Sequence, residues 1–149
     1  MSKKSKDNPV ILYTDGSYKH QEKIGGYAAY IPHEETVICG SEKNTTNNKM
    51  ELQAVISGLR AIDNDKKVIV YTDSQYVCNG FTKGWVNKWE SNDWKRKNNY
   101  IPNHELWIQL KEQVDNHKHV EFTWVKGHAS THGNNLCDAF ATAVTKCDS

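Results

Sequence analysis

Two stretches of the chain carry the same pattern of apolar and polar positions. Val10-Ile11-Leu12-Tyr13-Thr14-Asp15-Gly16-Ser17 is an apolar, β-branched run that turns polar at a carboxylate, and Val68-Ile69-Val70-Tyr71-Thr72-Asp73-Ser74 repeats it as V-I-x-Y-T-D-x. Near-continuous apolar runs of this length read as strands buried on both faces, in the middle of a sheet. Between them, 27–31 and 36–39 are separated by a turn at Pro32, and the short connections suggest an antiparallel meander with the first strand. Asn44-Thr45-Thr46-Asn47-Asn48-Lys49-Met50-Glu51 is a block of helix-starting residues, followed by Leu52, Val55, Ile56, Leu59 and Ile62 at helical spacing. A helix in that place makes the strands on either side of it pair in parallel. Asp15 and Asp73 then come out side by side near one sheet edge.

Downstream, 75–81 reads as a short helix. Residues 82–100 show no clear period and set Trp85, Trp89 and Trp94 among Lys83, Lys88, Lys95, Arg96 and Lys97. Pro102-Asn103 opens another helix, with Leu106, Leu110 and Val114 on one face. The stretch 120–124 alternates as a half-buried strand and runs into Lys126-Gly127-His128; a polar loop, 129–134, precedes a last helix carrying Leu136, Phe140, Ala143 and Val144. The expected fold is α/β: a five-stranded mixed sheet, three antiparallel strands plus two parallel ones added through helical crossovers, with helices on both faces.

Composition narrows the class more than the activity. At 149 residues the chain fits a single domain, 10–149, behind a polar and basic tail, 1–9, expected to be flexible. The formal net charge of +1 leaves any electrostatic argument to local patches. Cys39, Cys78, Cys137 and Cys147 show no C-x-x-C or Cys/His ligand spacing, which argues against zinc and against a disulfide framework. No apolar h-region follows the tail, and no apolar run nears the roughly 18 residues of a membrane span. A soluble, cytoplasmic protein is expected.

Paired carboxylates at strand ends are the candidate chemistry. Two adjacent negative charges repel unless a cation lies between them, and Mg²⁺ takes a few carboxylate ligands while leaving positions for water and phosphate oxygens. Local roles compete with this reading. Asp15-Gly16 is also a hairpin-turn dipeptide, and Asp73-Ser74 suits the cap of the following helix. Asn48-Lys49-Met50-Glu51 is close to a capping box, in which the glutamate folds back on the helix start. Asp138, three residues after Asn135, poses the same choice. Yet all four acids stand at strand ends or helix starts from which they can converge on one crevice, and one shared explanation replaces four separate ones.

Thr14-Asp15-Gly16-Ser17, Thr45-Thr46-Asn47-Asn48-Lys49-Met50-Glu51-Leu52, Thr72-Asp73-Ser74-Gln75-Tyr76-Val77, and Trp124-Val125-Lys126-Gly127-His128 with Cys137-Asp138 together resemble type 1 ribonuclease H. The match keeps register from about Val10 to Val144. The resemblance implies an endonuclease that hydrolyses the RNA strand of RNA/DNA hybrids, using two Mg²⁺ ions (Mn²⁺ as possible substitute) and leaving 5′-phosphate and 3′-hydroxyl ends. It puts the catalytic, metal-binding carboxylates on Asp15, Glu51, Asp73 and Asp138. Asp15 would bridge the ions, Glu51 and Asp73 would serve the leaving-group side, and Asp138 the nucleophile side. The mobile-loop histidine falls on His128, with His132 the competing candidate; an imidazole that titrates near neutrality suits proton shuttling or product release.

The resemblance also implies the substrate contacts. RNA would be told from DNA at its 2′-hydroxyls by Asn47, Asn48, Gln75 and the backbone around Gly16, although Asn47 and Asn48 also suit helix capping. The DNA strand would lie at a phosphate pocket of Thr46 and Asn103 and against the rings of Tyr76 and Trp85. From Phe81 to Tyr100, five Lys/Arg face Glu90 and Asp93, a local charge of +3 that favours salt-sensitive phosphate contacts. The resemblance makes 82–100 a basic, Trp-containing handle, whose tryptophans also suit a small core of its own. Two departures stand out. Where relatives often carry an arginine at the DNA-phosphate pocket, this chain has Asn44 beside Lys43, and His132-Gly133-Asn134-Asn135 lacks a further acid found in many relatives. Weaker grip on the DNA strand, low processivity and a monomeric enzyme without membrane contact are the expectations.

Overall fold

The computed structural model describes residues 8–126 and 132–147. Strands β1 (Val10–Lys19), β2 (Ile24–Ile31) and β3 (Thr36–Lys43) form the antiparallel meander, with a 3₁₀ turn at Pro32–Glu34. Helix α1 (Asn47–Arg60) crosses to β4 (Lys67–Thr72). Then come α2 (Gln75–Thr82), α3 (Trp85–Ser91), a two-stranded hairpin of β5 (Lys95–Arg96) and β6 (Asn99–Tyr100), α4 (His104–Asn116), β7 (His119–Trp124) and α5 (His132–Cys147). The main sheet has the order β3-β2-β1-β4-β7, antiparallel through β1 and parallel from β1 to β4 to β7. The expected α/β architecture is therefore present, with five strands in its main sheet.

The repeated motif has a structural counterpart. Its two copies lie side by side in register, from Val10 opposite Val68 to Tyr13 opposite Tyr71, and the two tyrosine rings stack at 5.4 Å. Two more steps along the same register bring Asp15 opposite Asp73. β1 does not turn at Asp15-Gly16: it continues to Lys19, with Asp15 opposite Ala28 and Gly16 opposite Tyr27. The hairpin reading of that dipeptide fails because the strand stays paired with β2 through it, and the chain reverses only after Lys19.

Alternation along β1 sends successive side chains to opposite faces. Leu12, fully buried, joins Leu52, Val55, Ile56 and Leu59 of α1 with Val68 and Val70 of β4. Tyr13, with Tyr30 and Ala28, packs instead on Cys137 and Ala141 of α5. Each fully buried aliphatic side chain contributes roughly 1.5–3 kcal/mol of transfer free energy, so α1 and α5 are held to the two faces by the same strand. Asp15 emerges on the α5 face and Gly16 on the α1 face.

The handle was the least regular stretch in sequence, and its tryptophans divide. Trp89 and Trp94 pack on the main core beside buried Val86, and Trp107 of α4 is fully buried against Trp89 and Phe81. Trp85 stays 38% exposed. A separate core for the handle is thus not formed; its rings extend the main one.

Candidate active site

Asp15, Glu51 and Asp73 each present a carboxylate oxygen, and the three atoms lie within 4.8 Å of one another. They come from β1, α1 and the residue that follows β4, so the parallel pairing of β1 and β4 and the crossover helix between them build the cluster. Asp15 and Glu51 are buried, at 7% and 5% exposure, and Asp73 is partly so. The N–H of Gly16 donates to Asp15 Oδ1 at 2.9 Å. Trp124 Nε1 donates to the Asp73 carbonyl at 3.1 Å and Val125 N–H to that of Thr72 at 2.8 Å, so the end of β7 pins the backbone that carries Asp73.

Both capping alternatives for these acids are excluded by the caps that form. Thr46 caps α1, accepting from Lys49 N–H at 3.2 Å. Glu51 is then the fifth residue of the helix, past the position from which a capping-box glutamate folds back. Ser74 caps α2, its hydroxyl accepting from Val77 N–H at 3.2 Å. Asp73 is left free to face Asp15. Asn47 and Asn48, inside the first turn of α1 and exposed, are not caps either.

The electrostatics of the cluster are those of charge without a counter-ion. Burial, then the neighbouring charges of Asp73 and Asp138, push the Asp15 carboxyl up to about 8. Burial, then Asp15 and Asp73, hold Glu51 well above the ordinary carboxylate range. The ion pairs of Lys111 with Glu90 and Asp115 lie away from the cluster. Glu51 Oε1 is buried with no hydrogen-bond partner. An orphaned buried carboxylate oxygen facing two further acids is costly unless a cation completes it, and an all-oxygen donor set suits a hard divalent ion such as Mg²⁺. The residues present fit such an ion.

Asp138 reaches the cluster from α5. It is exposed, and its neighbouring charge helps to raise the Asp15 carboxyl; it is not one of the three whose oxygens lie within 4.8 Å. His128 lies outside the described residues, as does the backbone on either side of it from 127 to 131. Gln75 is exposed at the first turn of α2.

Two cavities flank the cluster's elements. One, of about 1000 Å³, is lined by Tyr76, Trp85, Trp89 and Trp107 and by Lys88, Lys95, Arg96 and Lys97 of the handle. The other, of about 390 Å³, is lined by Lys43, Asn44, Thr45, Lys49, Asn103 and His104. The hydroxyl of Thr46 is occupied as a cap, whereas neighbouring Thr45 lines the smaller cavity and its Oγ1 is buried without a partner. Sequence reading passed over Thr45 and Lys49 there, because in a run of six consecutive capping-type and basic residues nothing marks which one turns inward. Asn103, in the left-handed region at φ 60°, does not cap α4; its Nδ2 donates to the Tyr76 hydroxyl at 3.0 Å.

Comparison with known proteins follows this geometry. The family model described as RNase H matches residues 7–146. The chain is similar to the Ribonuclease H of Thermoanaerobacter pseudethanolicus, 46% identical over 140 residues that cover 92% of this chain and 90% of that protein. It is also similar to the Ribonuclease H of Wolbachia pipientis wMel, 42% identical over 144 residues covering 95% of each chain. That of Caldanaerobacter subterraneus is 40% identical over 146 residues, 96% of this chain and 95% of the relative.

Proposed function

Because the chain belongs to the ribonuclease H family, we propose that it is a metal-dependent endonuclease hydrolysing the RNA strand of RNA/DNA hybrids to 5′-phosphate and 3′-hydroxyl ends. The observation that carries this reading is the gathering of Asp15, Glu51 and Asp73 from three separate elements within 4.8 Å. Asp15, Glu51 and Asp73 would hold two divalent ions, Mg²⁺ or Mn²⁺ in its place, with Asp138 joining from α5. When bound, such ions make a water nucleophilic near neutral pH and offset the charge on the departing 3′ oxygen.

The chain's own residues supply position and selectivity. Gly16 N–H fixes the Asp15 carboxylate, and the pinned end of β4 fixes Asp73, so the cluster is preorganised before substrate arrives. Asn47, Asn48 and Gln75, exposed and with no side-chain cap bond, would read the 2′-hydroxyls, which need groups that donate and accept. The basic, aromatic cavity of the handle and the smaller cavity at Asn103 would take the DNA strand. His128 would move a proton or help product leave. No described helix is long and apolar enough to cross a membrane; that the enzyme is cytoplasmic and monomeric is part of the proposal.

The test is cleavage of an end-labelled RNA/DNA hybrid with Mg²⁺, run beside duplex RNA, duplex DNA and each single strand. Cleavage confined to the RNA of the hybrid is expected. Binding of the hybrid without cleavage at any Mg²⁺ or Mn²⁺ concentration would leave a nucleic-acid-binding domain in place of an enzyme.

A further inference from the structure

Asp93 breaks two local rules at the end of α3. The helix closes with the Asp93 N–H donating to the Glu90 carbonyl at 3.1 Å and the Trp94 N–H to the Trp89 carbonyl at 2.7 Å. This closure puts the residue just past the cap in left-handed backbone, where glycine fits at least cost and asparagine next. Asp93 stands there at φ 56°. The open carbonyls of a helix end also carry partial negative charge, which favours a cation beside them and disfavours a carboxylate.

Its neighbours have structural compensation that Asp93 lacks. Trp94 is left-handed too, at φ 62°, but its ring packs on the main core. Glu90, the other acid of the handle, faces Lys111 at 3.6 Å. Among the described residues, no cation lies within ion-pair distance of the exposed Asp93 carboxylate. Asp93 instead lines the cavity of about 1000 Å³ together with Lys88, Lys95, Arg96 and Lys97. A residue that breaks local rules without a return in stability belongs to function.

What an acid does among those cations follows from electrostatics. Lysine and arginine contacts to phosphates raise affinity for every nucleic acid and carry no information on its type. Resting on the proposed function, we infer that Asp93 is an affinity-limiting residue, whose charge opposes the phosphates that the surrounding cations attract. The handle then lets go of uncut duplexes and of cleaved product sooner than four unopposed cations would. Asp93 sets the strength of the grip and leaves the chemical step alone.

The test is Asp93→Asn, which removes the charge and keeps a side chain that tolerates left-handed backbone. Fluorescence anisotropy gives Kd for an uncut DNA duplex, and steady-state cleavage gives KM for the hybrid, both from about 50 to 200 mM salt. At the low end Kd and KM should each fall about threefold, the range of one surface charge interaction. The difference should fade as salt rises, and the single-turnover cleavage rate should not change. Asp93→Glu keeps the charge but fits the backbone less well, so it should melt lower and retain the wild-type salt dependence. Asp93→Gly should melt higher and bind as Asp93→Asn does. Glu90→Gln removes the same charge where Lys111 faces it and should tighten binding less. If Asp93→Asn keeps the wild-type Kd at low salt, or if Asp93→Glu tightens binding as much, the inference is overturned. Failure of wild type to cleave the hybrid strikes the proposed function instead, while Kd for the DNA duplex still decides the role of Asp93.

Discussion

Gly16 and Glu51 touch across the junction of β1 and α1 so closely that there is no room for a side chain between them. A Cβ on Gly16 would lie 2.8 Å from both the backbone nitrogen and Oε1 of Glu51. The bare backbone at this position lets the Glu51 carboxylate pass beside the strand to reach Asp15. Backbone on one side of the contact cannot swing away as a flexible side chain would. Gly16→Ala should therefore push the start of α1 off the sheet, at about 1–3 kcal/mol for the overpacking. Because a small misplacement at a reacting centre costs on the order of 100-fold in rate, the activity loss should exceed what the fall in melting temperature suggests. An alanine variant with wild-type kcat would show that the junction relaxes without cost.

Asp73→Asn separates binding from chemistry. The side chain keeps its shape, Ser74 still caps α2, and Trp124 still holds the Asp73 carbonyl, so the fold should survive. One of the three converging charges is gone, and with it part of the cation site. Hybrid affinity is expected to change little while cleavage falls by more than about 100-fold, beyond the usual range for an outer-shell partner. Filter binding and single-turnover cleavage measure the two. Retention of most activity with Mg²⁺ removes Asp73 from the site.

Most of the architecture was legible because apolar runs and helical stripes are long enough to carry a period. The repeat of Val10 to Asp15 in Val68 to Asp73 even indicated the register, since the two copies pair residue for residue. Helix caps were not legible in the same way. Every residue from Asn44 to Asn48 is a plausible cap, and with Thr46 as the cap Glu51 lies two residues past the position from which it could fold back on the helix start. The β5–β6 hairpin was missed because strands of two residues have no periodicity to read. Tyr76 was read as a ring against deoxyribose; the donors to its hydroxyl, Asn103 and Trp107, lie 27 and 31 residues away, a relation no local pattern encodes.

Thr46 offers a way to tell capping from substrate contact. Its hydroxyl receives Lys49 N–H at 3.2 Å, and Thr45 lines the adjoining cavity in its place. Thr46→Ala should cost about 1 kcal/mol of stability, the usual value of an N-cap, while Thr46→Ser restores it. Thr45→Val, which deletes the unpartnered Oγ1, should instead leave or raise the melting temperature and weaken hybrid binding. Thermal melts and KM for both variants decide the matter. A larger binding loss for Thr46→Ala than for Thr45→Val returns the phosphate contact to Thr46.

The buried acids make a specific prediction about pH. Asp15 has a folded pKa of about 8 against an ordinary 3.8, so between those values the folded chain keeps a proton that the unfolded chain has lost. A raised folded pKa contributes stability that is full below the ordinary value and is lost as pH climbs through the folded one. Glu51, shifted in the same direction, adds to the slope. Without divalent ions, stability should therefore fall from about pH 5 to pH 9, by on the order of 3 kcal/mol. Asp15→Asn should flatten that fall and raise the melting temperature at the alkaline end. Cation binding displaces the same protons, so the stabilisation given by Mg²⁺ should grow with pH over this window. Melting curves of both proteins at several pH values, with Mg²⁺ and with chelator, test each arm. If the metal-free wild type gains stability toward pH 9, or if Asp15→Asn keeps the wild-type slope, Asp15 does not hold its proton in the fold, and the cation is not what its burial awaits.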